Sequence, residues 1–276
     1  MRFGFASVLL GLILSLTAMA QPEPNQTCDI RSLQVCAHHI LQDEGHILTS
    51  PIHARPKDLL WIAPLGVATA VAIHYDAQTL DKLGTDPSTQ KRFEQISNAG
   101  GAYVPAGLIV AGYAVGAWRK DDYLKQTAVL SGEAIVDGLI INEGLKFAID
   151  RETPSEGDRK GQFWPHGFRG WPDGQSMPSG HSMTAWNIAH VISSRYPSWH
   201  TRLIMYSLAS TVSATRIVAR KHFPSDVLVG GAIGYLVGGY VVHARGDASR
   251  SFSLSMVDTP NGRGMQVNYT FGQGRE

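Results

Sequence analysis

The sequence predicts an all-α protein, a helical bundle of about six helices with a C-terminal β-hairpin. Three observations carry that expectation. Between about Asp58 and Arg245, apolar stretches of helical length alternate with short polar joints. Glycine and proline concentrate in those joints. Strand-like alternation of apolar and polar residues is confined to the segment after Arg245. At 276 residues and 43% hydrophobic content, the chain is long enough to bury a substantial core, which excludes disorder for the bulk of it.

Taken in order, residues 1–20 read as a signal peptide. Arg2 precedes an apolar run from Ala6 to Ala18, and Ala18-Met19-Ala20 forms a small-residue cleavage site before Gln21. The run is shorter than the roughly 20 residues of a spanning helix. Export, to the periplasm, is therefore expected. In the extension 21–57, Cys28 and Cys36 enclose seven residues, and in an oxidising compartment they are expected to form a disulfide. Their spacing, with His38-His39 following, matches no common zinc site. Removing residues 1–20 removes Arg2 and no acid, so the 24 basic and 23 acidic residues become 23 and 23, a net charge of zero. With Lys and Arg scattered and no basic stripe, nucleic acid is excluded as a partner.

The helical domain spans 58–245, with helices expected near 59–75, 90–118, 123–150, 182–195, 201–219 and 225–244. Two stretches, 102–118 and 227–243, are apolar nearly all round and rich in Gly and Ala, which fits a buried core helix or a membrane span. Each apolar run is about 17 residues, the lower limit for a bilayer, and the mean hydropathy is −0.08. A soluble or surface-associated bundle is therefore favoured, with an integral membrane protein as the alternative. Residues 152–175 are polar and rich in Gly, Pro and Trp without periodicity, a long loop expected at the rim of a pocket. In 246–276, Phe252, Leu254 and Met256 alternate with serines, and Met265, Val267, Tyr269 and Phe271 alternate with polar residues. Thr259-Pro260-Asn261-Gly262 lies between the two runs, so the segment reads as a hairpin with an apolar face to cover the bundle.

Three segments carry chemistry. In Thr215 to Asp226, Pro224 suits the first turn of a helix, leaving His222 just outside it and Asp226 within its first turn. A carboxylate on one imidazole nitrogen sets the tautomer and frees the other nitrogen to attack, while Arg216 brings a guanidinium fork to a phosphate. In Pro178-Ser179-Gly180-His181, directly before a helix, Ser179 and the N–H groups of Gly180 and His181 form an anion cradle, with His181 placed to protonate a leaving oxygen. In the third, Lys146 to Pro154, Lys146 and Arg151 are cations closing a helix.

In this order and spacing the three segments resemble the type-2 phosphatidic acid phosphatase superfamily, which includes bacterial acid phosphatases and vanadium haloperoxidases. That pattern is Lys-x6-Arg-Pro, then Pro-Ser-Gly-His, then Ser-Arg-x5-His-x3-Asp. Here the second segment is complete, Thr215 stands in place of the Ser, and Thr153 stands in place of the Arg of the first; many relatives carry a further Arg two positions earlier, where Arg151 stands. The resemblance covers roughly residues 123–245. It implies a metal-independent phosphatase with no cofactor, acting on a phosphorylated small molecule or a lipid phosphate through a phosphohistidine. His222 is then the nucleophile, Asp226 its orienting acid, and His181 the general acid and base. Lys146, Ser179, Gly180 and Arg216 hold the phosphoryl oxygens; either Arg151 substitutes for the missing Arg or phosphate is bound more weakly. The resemblance also admits a vanadium-dependent haloperoxidase or a non-catalytic phosphate-binding relative.

Overall fold

Helical periodicity in the sequence becomes helix in three dimensions almost throughout. The structure, a computed structural model, describes residues 28, 32–53, 55–84, 86–165, 167, 175–245, 252–259 and 262–269. The signal peptide expected at 1–20 lies outside them, as do part of the long loop and the expected hairpin turn at Pro260-Asn261.

The chain divides into two compact units. In the first, Met1–His53, helix α1 runs over Leu33–Thr49, and Cys28 is disulfide-bonded to Cys36 with Cα atoms 4.8 Å apart. No helix was expected there. Its N-cap, Ser32, makes no side-chain capping bond and its first turn holds no acid, so the usual start signals are missing.

The second unit, Ala54–Glu276, contains α2 (Leu59–Lys82), α3 (Pro87–Asn98), a π-helical turn (Ala99–Tyr103), α4 (Val104–Arg119), α5 (Asp122–Ile149), α6 (Gly180–Arg195), α7 (Trp199–Val218) and α8 (Pro224–Arg245). With α1 that makes eight α-helices among the described residues, against the six expected. Besides α1, the difference is the split of the stretch 90–118. Asp86 caps α3 by accepting from the Thr89 N–H at 2.8 Å. Pro105 has no N–H to return to Gly101, and the chain takes up an extra residue so that the Val104 N–H reaches the Ala99 carbonyl. After α8, β1 (Phe252–Thr259) and β2 (Gly262–Tyr269) pair antiparallel, Phe252 opposite Tyr269. The apolar face expected to cover the bundle rests on side chains outside the described set.

Helix α6 is the hub, packed against α5, α7 and α8. On its α7 side Ala185 and Ala189 meet Ala209 and Val212, with Trp186, Met205 and Tyr206 around them. On its α8 side the contact is between backbones. Gly230, Gly234 and Gly238, one turn apart, lie against the backbone of Ser179, Met183 and Asn187, also one turn apart. Ser182 Oγ then donates to the Val227 carbonyl at 3.0 Å.

Three segments, Pro56–Lys82, Pro87–Arg119 and Pro224–Arg245, are long and apolar enough to cross a membrane. The protein buries none of the apolar window of the first, where Leu59, Leu60, Trp61, Ile62, Val67 and Val71 stand exposed. An apolar surface of that extent belongs in lipid or against a partner. Of the expected alternatives, these helices support membrane association over a soluble bundle. Mean hydropathy misleads because it averages these helices with the polar loop and tail.

The glycine contact yields a prediction. A methyl group at Gly234 would overlap the Met183 backbone, whereas one at Gly107 meets nothing within 4 Å. Gly234→Ala is expected to cost about 2 kcal/mol and lower Tm by roughly 4–8 °C, while Gly107→Ala leaves Tm unchanged or slightly raised. Thermal unfolding of both variants in one detergent checks this.

Candidate active site

His222 occupies the turn between α7 and α8, where Pro224 begins α8 and Asp226 falls in its first turn, as the sequence predicts. The imidazole is buried, and Nδ1 lies 2.8 Å from the Ser176 carbonyl oxygen. A carbonyl only accepts, so Nδ1 carries the hydrogen and Nε2 the lone pair. Asp226 was expected to accept that hydrogen. Its Oδ2 instead lies 3.9 Å from Nδ1, too far for a hydrogen bond, because the Ser176 backbone stands in that place. The carboxylate acts at one remove. Oδ2 accepts from Ser176 Oγ at 2.5 Å and from the Phe223 N–H at 2.8 Å, holding the two segments that bracket the ring.

Arg151 requires a second correction, since it is not a phosphate ligand. It is fully buried; Nη1 donates to Asp226 Oδ1 at 2.5 Å and Ser225 Oγ at 2.7 Å, Nη2 to Asp76 Oδ2 at 2.8 Å, and Nε to the Gly161 carbonyl at 3.2 Å. Its faces are covered by Phe223 and Phe163, at 4.3 and 4.9 Å from the ring centroids. Two carboxylates engage this guanidinium. Thr153 turns to its own loop, its Oγ1 3.1 Å from Ser155 Oγ and its N–H donating to Glu156 Oε2 at 2.9 Å.

The Pro-Ser-Gly-His segment crosses the start of α8, where the Ser179 N–H donates to the Asp226 carbonyl at 3.0 Å. Ser179 is the N-cap of α6 yet makes no capping bond; its hydroxyl is buried and has no partner among the described residues. A Cβ at Gly180 would stand 3.3 Å from Asn142 Nδ2, one turn before Lys146 on α5. His181 lies against Gly101 of the π-turn, where a Cβ would come within 2.5 Å of its ring. Arg216 is tethered by Nη1 to Ser97 Oγ and Asn98 Oδ1, both at 3.1 Å, and its buried Nε has no partner among the described residues. Lys146 is looser, 3.6 Å from Glu143 Oε1 and 21% exposed.

Electrostatics join these groups. Burial, then the charges of Arg216 and Lys146, lower the His181 pKa to about 4 and push that of His222 well below its ordinary value. Burial lowers Arg216 to about 10, so it stays charged at neutral pH. Two neutral imidazoles facing two cations, with a serine hydroxyl and a guanidinium N–H unpaired, make a site for an anion. Among the described residues, no group of three metal-ligand atoms gathers around these histidines.

The sequence pattern of the PAP2 superfamily matches residues 127–250, which include these groups except Asp76, the π-turn and the Arg216 tethers. That match covers slightly less than half of the chain. A lipid A 1-phosphatase of Porphyromonas gingivalis is 42% identical over 73 residues, 24% of this chain and 16% of that protein. A lipid A 1-phosphatase of Rhizobium etli is 33% identical over 107 residues, 39% of this chain and 45% of that protein. The chain thus spans less than half the length of these curated relatives. The crystal structure of Aquifex aeolicus LpxE aligns with a TM-score of 0.43 at 23% identity, covering 58% of this chain and 88% of that one. That of a transmembrane PAP2 type phosphatidylglycerolphosphate phosphatase from Bacillus subtilis aligns with a TM-score of 0.45 at 22% identity, covering 76% and 93%.

The sequence did not single out Asp76, Asn142, Gly101, Ser97 or Asn98, none of which lies in a motif. Arg151→Ala, which strands two buried carboxylates, is expected to destabilise the protein by about 3–5 kcal/mol, against about 0.5 kcal/mol or less for Thr153→Ala. Thermal unfolding of the two variants is the measurement. Equal, small losses would show that Arg151 does not hold these carboxylates together.

Proposed function

We propose that this protein is a phosphatase that hydrolyses a lipid phosphate monoester through a phosphohistidine on His222, without a metal ion. The observation that carries the reading is the His222 tautomer: Nδ1–H is committed to Ser176, which leaves the Nε2 lone pair for a phosphorus atom. Lys146, Arg216, Ser179 and the N–H groups of Gly180 and His181 serve the phosphoryl oxygens, whose charge must be balanced in the transition state. His181 protonates the departing oxygen and then takes a proton from water. A lipid A-type phosphate is the substrate class favoured, on two supports: the relatives named for that activity and the apolar helices that give access from a bilayer. The Cys28–Cys36 disulfide supports an exported, periplasmic setting.

Purified in detergent with EDTA present, the full chain is expected to release phosphate from a lipid phosphate and to acquire an acid-labile label mapping to His222. His222→Ala abolishes label and turnover. His181→Ala keeps activity toward esters with good leaving groups, which need little protonation. Label on a serine, or on the His222→Ala variant, would sink the mechanism.

The low His181 pKa alters where the acid proton originates. With a value of about 4, about one His181 in a thousand is protonated at pH 7 in the empty site. The proton therefore arrives on the substrate, as the monoanion of a phosphate whose second pKa is about 6. Accordingly kcat/KM falls tenfold per pH unit above that value. Comparing esters of different second pKa tests this: the limb should follow the ester, and a limb fixed near pH ~6.5 for all of them would return the proton to the free imidazole.

A further inference from the structure

Helix α2 buries only two of its 24 residues, Asp76 and Leu80. An ionisable side chain on a helix fit to cross a bilayer is retained with a partner and marks function. Asp76 Oδ2 accepts from Arg151 Nη2 at 2.8 Å and from Ser225 Oγ, and Oδ1 accepts from the Ser225 N–H at 3.0 Å. Arg151 and Ser225 are also the groups beside Asp226: Arg151 Nη1 bridges Ser225 Oγ at 2.7 Å and Asp226 Oδ1 at 2.5 Å. Two carboxylates thus share one guanidinium, and with both ionised the buried triad of Asp76, Arg151 and Asp226 sums to one negative charge.

We infer that Asp76 is a positioning residue for His222: by sharing Arg151 it leaves Asp226 with uncompensated negative charge facing the imidazole. The inference rests on the phosphatase reading. When the Nε2 lone pair forms the bond to phosphorus, the bond to the leaving oxygen breaks and its electron pair departs with that oxygen, which takes the proton from His181. The ring keeps Nδ1–H on Ser176 and becomes a cation, with Asp226 Oδ2 3.9 Å from Nδ1. A neutral Arg151–Asp226 pair offers that cation little; the triad offers a full negative charge in a buried setting, where charge interactions are least screened. Asp76 therefore acts on the rate of attack and leaves phosphate binding, which lies with other residues, unaltered.

The test uses the full chain in detergent micelles, p-nitrophenyl phosphate turnover, and inorganic phosphate as a competitive inhibitor. Asp76→Asn keeps the shape and one acceptor and removes the charge. It is expected to lower kcat ten- to a hundredfold while the phosphate inhibition constant stays within threefold. A kcat within twofold of wild type overturns the inference, and so does a parallel loss of kcat and phosphate affinity, the mark of mere structural support. Should Asp76→Asn not fold, Asp76→Glu carries the test, since it keeps the charge. A kcat within threefold of wild type supports the inference, and a loss of more than tenfold at unchanged phosphate affinity overturns it. An inactive wild-type chain would sink the functional reading; an active wild type with an equally active Asp76→Asn variant sinks only this one.

Discussion

Much of the site depends on one contact, the close approach of α6 and α8 along Gly230, Gly234 and Gly238. With no side chain between them, the helices meet at backbone distance, and their register follows: a shift by one residue would place a side chain where a glycine now lies. This register carries the Ser179 N–H to the Asp226 carbonyl and leaves the segment before it, from Ser176, beside His222. Helix packing away from the reacting atoms thus decides which nitrogen of the imidazole keeps its hydrogen.

Charge is sorted into two layers. Beneath His222, Arg151 is fully engaged by Asp76 and Asp226. A buried ion pair of this kind adds little net stability when complete and costs much when one partner is lost, so it specifies a geometry more than it strengthens a fold. In the pocket, Lys146 and Arg216 lower the proton affinity of both histidines. The same cationic character is therefore satisfied by protein in one layer and left for a ligand in the other.

What the sequence revealed follows this division. His181, Ser179, Gly180, Arg216, His222 and Asp226 lie in two short stretches whose spacing carries the geometry, and Pro224 marked the start of α8. Arg151 was misread because a cation at a helix end looks alike whether it faces a ligand or two carboxylates, and Asp76, its decisive partner, is 75 residues away. The acceptor for His222 is a backbone carbonyl, and every residue has one, so no residue type announces it. The bundle was legible from periodicity. The break at Ala99–Tyr103 was not, since Pro105 only forbids one hydrogen bond and does not say how the chain will reroute. The exposed apolar character of α2 was hidden by averaging over the whole chain.

The two pocket cations also differ in how much freedom they have left to lose. Arg216 is held in advance by Ser97 and Asn98, so a phosphate meets its Nε already in place. Lys146, tethered among the described residues through partly exposed Glu143, would on the proposed reading be ordered by the arriving anion. Immobilising a lysine side chain costs up to about 2 kcal/mol of rotamer entropy, comparable to the worth of a charged hydrogen bond. If the proposed phosphatase reading holds, affinity for a bare phosphate is set chiefly by the preordered arginine. The lysine contributes in full only when the rest of a substrate already holds the phosphate beneath it.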